Sequence, residues 1–302
     1  MGHEYLGGSF REVSRASTQP AEIQVTECED GLLVSSVIEL NGESYRRALW
    51  ASSNSPALHL MVEGRAPARH TVAVRIAPGT ETTELTMDAP GGTVVRPLRR
   101  VYAPTFWPMH RWLHLVDDTT GHGFAMWQAL PGAISYDVSG ELCAVAVRNA
   151  TRERVFGLLP ILGNPATAHE REAYRFDCAL MFTEQGDWQQ NLIPMVFGRT
   201  VPPWRPGQAV SLQRYAAGAV TVDRADVEVI AAKPASRGEG TVIRLYAPTP
   251  PLGVLTVRCP GRSIRRAYLC DARERDLEPL PVTVGAVHLT MAGTVATLRI
   301  LT

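Results

Sequence analysis

The sequence predicts an all-β protein of antiparallel sheets stacked in layers. Three observations predict it. Apolar and polar residues alternate with period two in many short runs, the pattern of a strand with one buried face. Clusters of Gly, Pro, Asn, Asp and Ser separate the runs at even spacing. No segment carries the i, i+3, i+4, i+7 stripe of an amphipathic helix, so a parallel sheet with crossover helices is not expected.

Residues 1–20 are polar and glycine-rich and read as a partly disordered N-terminal segment. Strands follow at 23–27 (IQVTE), 32–40 (LLVSSVIEL), 58–63 (LHLMVE), 71–76 (TVAVRI) and 92–98 (GTVVRPL). Turn chemistry lies between them in NGES, SSNSP, APGT and DAPGG. Further strands are expected in 106–118, 121–137, 141–149 and 173–182. The segment 204–218 is too polar and too broken by Pro and Gly for a helix. Residues 231–240, AAKPASRGEG, have linker chemistry. They divide a large β unit at 21–235 from a small one at 236–302, which holds five or six strand candidates. The small unit is marginal for independent stability and is expected to dock on the larger.

A chain of 302 residues, 45% hydrophobic and 20% charged, is an ordinary soluble globular protein. Basic and acidic residues number 30 each. With no positive excess to neutralise phosphates, nucleic acid is not an expected partner. Lys233 is the only lysine, which points to a GC-rich genome rather than an arginine site. The five cysteines show no C-x-x-C spacing, and reduced thiols in a cytoplasmic protein are the expectation. No signal-peptide h-region and no membrane-length apolar run is present, so no membrane partner is expected.

Candidate functional residues concentrate between Phe106 and Trp188. His110, Trp112 and His114 alternate along one expected strand, which would put them on one face. Histidines four apart on a strand lie about 13 Å apart, too far for one metal ion, so no metal is assigned. Asp117 and Asp118 read as turn acceptors, because neighbours on a strand face opposite ways and cannot both meet one glycosidic oxygen. Trp112 and Trp127, mid-strand, read as core. Trp107, Trp188 and Trp204 stand beside Pro or Gly and are the candidates for a sugar-stacking rim, with Arg111 gripping hydroxyls. Asp187 is expected to cap its turn or pair with an arginine. Glu141 and His122 form no clear acid/base pair of the mutarotase kind. No nucleophile elbow, Ser-His-Asp order or phosphate-cradling loop occurs, so no catalytic residue is assigned.

Several segments, in this order, resemble the C-terminal β region of glycoside hydrolase family 38, the α-mannosidases. GGTVVRPL followed by PMHRWLHLVDD is similar to a strand pair of that family. GHGFAMWQALPGAISYDVSGELCAVAVRNATR is similar to its glycine-led hairpin, and LPGAISYDV resembles the mannosylglycerate-hydrolase-like branch. FDCALMFTEQGDW is similar to an aromatic strand that ends in Gly-Asp-Trp. The tail from VIRLYAPTPPLGVLTVRCP to VHLTMAGTVATLRIL is similar to the family's terminal β-domain.

The resemblance covers about residues 60–302. It implies a galactose-mutarotase-like supersandwich followed by a small β-sandwich. It also implies partnership with a zinc-bearing catalytic barrel, for which these residues show no counterpart. This chain has REAYRF where many members carry Glu-His, and Phe182, Thr183 and Glu184 where many carry Pro-His. The resulting expectation is a non-catalytic β region of an α-mannosidase-like hydrolase. It would bind no cofactor itself and would have a catalytic domain and a mannose-containing glycan as partners. The alternatives are a stand-alone carbohydrate-binding module and a mutarotase-type sugar enzyme.

Overall fold

The structure, a computed structural model, describes residues 2–3, 8–9, 13–67, 70–97, 106–128, 130–136, 140–148, 153–155, 159–161, 172–184 and 220–302. Apart from one short turn of 3-10 helix at Ala16–Thr18, the elements are strands. In chain order the first group is β1 (Gly2–His3), β2 (Gly8–Ser9), β3 (Glu22–Cys28), β4 (Gly31–Leu40), β5 (Glu43–Ser52), β6 (Leu58–Arg65), β7 (Thr71–Ile76), β8 (Glu84–Ala89) and β9 (Gly92–Pro97). Then come β10 (Trp107–Met109), β11 (Trp112–Val116), β12 (Gly123–Gln128), β13 (Gly132–Tyr136), β14 (Leu142–Arg148), β15 (Glu153–Val155), β16 (Leu159–Ile161) and β17 (Ala173–Thr183). The last group is β18 (Thr221–Val222), β19 (Glu228–Pro234), β20 (Thr241–Tyr246), β21 (Leu255–Arg258), β22 (Arg266–Cys270), β23 (Asp276–Leu280), β24 (Val282–Thr283), β25 (Ala286–Leu289) and β26 (Val295–Leu301). The chain forms two compact units, Met1–Met87 with Val95–Gly186, and Asp88–Val94 with Asp187–Thr302.

The first unit is a sandwich. A nine-stranded antiparallel sheet, ordered β3-β4-β5-β6-β17-β12-β11-β8-β9, faces a four-stranded one, β10-β13-β14-β7; residues 88–89 of β8 and 92–94 of β9 count with the second unit. Leu85, Leu113, Leu115, Phe124 and Met126 from the large sheet meet Trp107, Met109, Ile134 and Leu142 from the small one. All are buried, and each side chain contributes about 1.5–3 kcal/mol by leaving water. Among the described residues, none of β3, β4 or β5 belongs to this core. The Asn-Gly step between β4 and β5, where the sequence places turn chemistry, forms a two-residue hairpin. Asn41 and Gly42 both take positive φ (56° and 78°), the geometry that matches strand twist in a two-residue turn. The sequence pattern predicts no strand at β5. Adjacent Arg46 and Arg47 break its alternation, yet Arg47 Nε donates to Ser36 Oγ across the pair at 3.1 Å.

The second unit packs a four-stranded sheet, β18-β21-β25-β24, against a five-stranded one, β19-β20-β26-β22-β23. Its core includes Ile243, Leu245, Leu255, Val257, Val287 and Leu298. The boundary expected at 236 is corrected. It falls in the turn of the β19–β20 hairpin, where Pro234 opposes Thr241. Ala235 N donates to Gly240 O at 3.0 Å, and Gly238 and Gly240 take positive φ. Pro, Ser and Gly serve tight turns as well as linkers, so composition alone could not separate the two.

Between β24 and β25, Val284 takes φ 49° and is 91% exposed. A β-branched residue there is strained by roughly 1–2 kcal/mol. Val284→Asn should therefore raise the stability of the second unit by about 1 kcal/mol, read as a higher urea midpoint at unchanged slope.

Candidate functional site

The face of the nine-stranded sheet opposite the core carries the densest chemistry. Register places Trp112 opposite Trp127, Trp127 opposite Ala179, Ala179 opposite His59 and His59 opposite Trp50. Directly opposed residues share a face, so these five form one row across β11, β12, β17, β6 and β5. Trp50, Trp112 and Trp127 are buried, and His59 is half-buried. Trp112 and Trp127 are therefore buried, as the sequence predicts, but Trp112 opens β11 and Trp127 is the last residue but one of β12, and both lie on the outer face rather than between the sheets.

The neighbouring row holds His114 beside Ala125 and Met181. His114 is 2% exposed, and its Nε2 lies 2.9 Å from Thr183 Oγ1 in a hydrogen bond. Gly123 permits this approach, since a Cβ there would come within 2.5 Å of His114 Nε2. Burial lowers the His114 pKa from 6.5 to about 4, so the ring is neutral at pH 7. Above pH 6.5 both folded and unfolded states keep it neutral and it contributes no pH dependence. As pH falls below 6.5 the unfolded chain takes up a proton that the folded chain refuses until about pH 4. Stability should fall across that window by up to about 3 kcal/mol. His114→Gln should remove that slope from a series of urea unfolding curves; an unchanged slope would refute the assignment.

Along the same face, Arg175 grips Asp177 with two bonds, Nε to Oδ2 at 2.6 Å and Nη2 to Oδ1 at 2.7 Å. Its Nη1 donates to Glu63 Oε1 at 3.2 Å. The Asp177 hydrogen bonds, above all, raise the guanidinium pKa. Fork-to-carboxylate geometry of this kind is strong and directional. Arg175-x-Asp177 could have been read as a same-face pair. Glu63, 112 residues away, left no local signal.

Asp117 and Asp118 do serve turns. Asp117 Oδ1 accepts from Thr119 N, Thr120 N and Thr120 Oγ1, and its Oδ2 accepts from Glu81 N. These bonds, led by that of Glu81, lower its pKa to about 2. Asp118 Oδ2 accepts from Thr83 N at 3.0 Å. Glu141 pairs with Arg75, while His122 Nδ1 lies 4.0 Å from Glu184 Oε2, both exposed.

The rim candidates fare differently. Trp107 is corrected, for it is 4% exposed and packs in the core between the sheets. It opens β10, an edge strand, where Pro108 points to solvent between buried Trp107 and Met109. Proline is tolerated on a sheet edge, so it did not mark a loop here. Arg111 is half-buried in the bend between β10 and β11, and its carbonyl accepts from Gln128 N at 2.8 Å. His110 lies in that bend as well, which ends the expected alternation with Trp112. Trp188, Trp204 and Asp187 lie outside the described residues. Among the described residues no group of three or more His, Cys, Asp or Glu is placed to hold a metal ion. Cys143, Cys178, Cys259 and Cys270 are buried free thiols, and Cys28 is exposed on β3.

No protein-family model matches the chain, and no curated protein matches it in sequence. Among solved structures it is similar to an α-mannosidase from Enterococcus faecalis V583, over 94% of this chain with a TM-score of 0.66 and 13% identity. It is also similar to a protein in glycosyl hydrolase family 38 from Enterococcus faecalis, again over 94%, with a TM-score of 0.65 and 11% identity. The chain spans 35% and 36% of the length of those two chains. Likeness at this identity establishes a shared fold. The chain thus has the all-β sandwich fold of about a third of a family 38 glycosyl hydrolase.

Proposed function

We propose that this chain acts as the non-catalytic β region of an α-mannosidase-like glycoside hydrolase, docked in the cytoplasm on a separate zinc-dependent catalytic barrel. The observation that carries the reading is the asymmetry of coverage: 94% of this chain aligns with 35% of the mannosidase. The remaining two thirds of that enzyme has no counterpart in these residues. Exposed apolar side chains at the edge of the large sheet support docking. On β3 and β4, Ile23 (70% exposed), Val25 (61%) and Leu32 (45%) lie on the face that carries the core further along the sheet. An apolar patch on an edge strand of seven exposed residues is a surface that ordinarily meets a partner.

Purification of the protein from its native host tests this. The expected result is a stoichiometric complex, or a longer polypeptide, that contains zinc and hydrolyses an α-mannoside. Ile23→Asp with Val25→Asp should dissociate a two-chain complex while leaving the melting temperature of this chain unchanged. A free chain of 33.0 kDa with no associated glycosidase overturns the reading. Carbohydrate contact belongs to the same proposal, at Arg111 and at Trp188 and Trp204. Titration with mannose oligomers should shift the tryptophan fluorescence, and Trp188→Ala should abolish the shift whereas Trp112→Phe keeps it. No shift in the parent protein would remove the glycan from the proposal.

A further inference from the structure

Among the described residues, the sheet-edge strands longer than three residues are β3, β7, β9, β19 and β23. Proline stands in β9 (Pro97), β19 (Pro234) and β23 (Pro279). β7, β19 and β23 pair with their neighbours through irregular register, at Val145/Val147, Val229/Ala231 and Leu269/Cys270. Prolines and bulges keep another chain from continuing a sheet. β3 has neither. Its seven residues are all exposed, and they pair one to one with β4, from Glu22 opposite Val37 to Cys28 opposite Gly31. No described strand lies on its other side.

The charge at this edge is one-sided. The whole chain is balanced at 30 basic and 30 acidic residues, yet residues 22–40 hold Glu22, Glu27, Glu29, Asp30 and Glu39 and no Lys, Arg or His. The next strand, β5, does carry Arg46 and Arg47, but Glu63 lies opposite the first and Ser36 accepts from the second. Glu22 and Glu27 are thus the only guards of the β3 edge. They repel an acidic strand, a second copy of β3 included, and attract a basic one.

We propose that β3 accepts one further strand from the docked partner, an extended segment in which Lys or Arg alternates with apolar residues. Main-chain bonds to the free edge would hold it. Its apolar side chains would extend the face of Ile23 and Val25, and its cations would meet Glu22 and Glu27. The inference rests on the docking reading above and gives the form of that contact.

Hydrogen exchange tests it by comparing the free chain with the complex purified from the native host. Amides of residues 22–28 should exchange at least about tenfold more slowly in the complex. Three synthetic peptides then probe the full free chain by amide NMR at constant ionic strength. One alternates lysine with valine, one has glutamate for each lysine, and one has proline for the central valine of the first. Saturable shifts centred on β3 are expected with the lysine peptide, and binding at least about tenfold weaker with the other two. Gln24→Lys with Thr26→Lys, both exposed, should weaken the lysine peptide as much and leave the melting temperature unchanged. An active complex whose β3 amides exchange as fast as in the free chain overturns the strand contact and leaves the docking reading standing. Failure to find any complex ends both. Equal binding of the lysine peptide and either other peptide overturns the proposal, as does a dimer of this chain in which β3 is protected.

Discussion

Trp127→Ala should cost the first unit about 3–5 kcal/mol, the range for emptying a buried aromatic position. The ring is 1% exposed near the end of β12, with Trp112 opposite on β11 and Ala179 opposite on β17. Alanine on one flank cannot refill the space, and collapse of the cavity would disturb the whole row. The indole N–H makes no hydrogen bond among the described residues. A buried donor without a partner is itself unfavourable, so Trp127→Phe should cost less than about 1.5 kcal/mol despite its smaller volume. Urea unfolding of the two variants, followed by far-ultraviolet circular dichroism, gives the comparison. If Phe and Ala cost the same, the N–H makes a bond that the packing does not reveal. If Ala costs under about 1 kcal/mol, the outer face is not a packed layer.

The same row shows what could and could not be read from the sequence. β4 and β17 announced themselves by alternation, and Asn41-Gly42 by its turn chemistry, because both signals depend on neighbours in sequence. The Asp117 turn was legible for the same reason, as its acceptors serve Thr119 and Thr120 two and three residues on. β5 was hidden because Arg46 and Arg47 sit side by side and only the cross-strand contact to Ser36 shows how one of them is accommodated. Trp107 was misplaced because Pro108 signals a loop unless the strand is known to be an edge. The Arg175, Asp177 and Glu63 cluster depends on which strands become neighbours. Topology decides that, and composition carries no trace of it.

The strongest polar effect is expected at Tyr246. Its hydroxyl donates to Asp88 Oδ1 at 2.9 Å and lies 3.3 Å from the Gly92 carbonyl. Both residues belong to the second unit; Asp88 is fully buried and Tyr246 is 4% exposed. One hydroxyl proton serves one acceptor well, and the shorter contact to the carboxylate takes it. Tyr246→Phe removes that donor from a buried charge and should cost about 1.5–3 kcal/mol. Asp88→Asn keeps an acceptor for the hydroxyl and gives up the charge, so it should cost less than the tyrosine change. The nearby bond from Thr294 Oγ1 to Gly91 O, at 2.6 Å, is exposed to solvent. Thr294→Val should cost well under 1 kcal/mol, about the value of a bond that water can replace. Thermal unfolding of the three variants ranks them. A loss below about 0.5 kcal/mol for Tyr246→Phe would mean that other donors satisfy the carboxylate, and this ranking would fail.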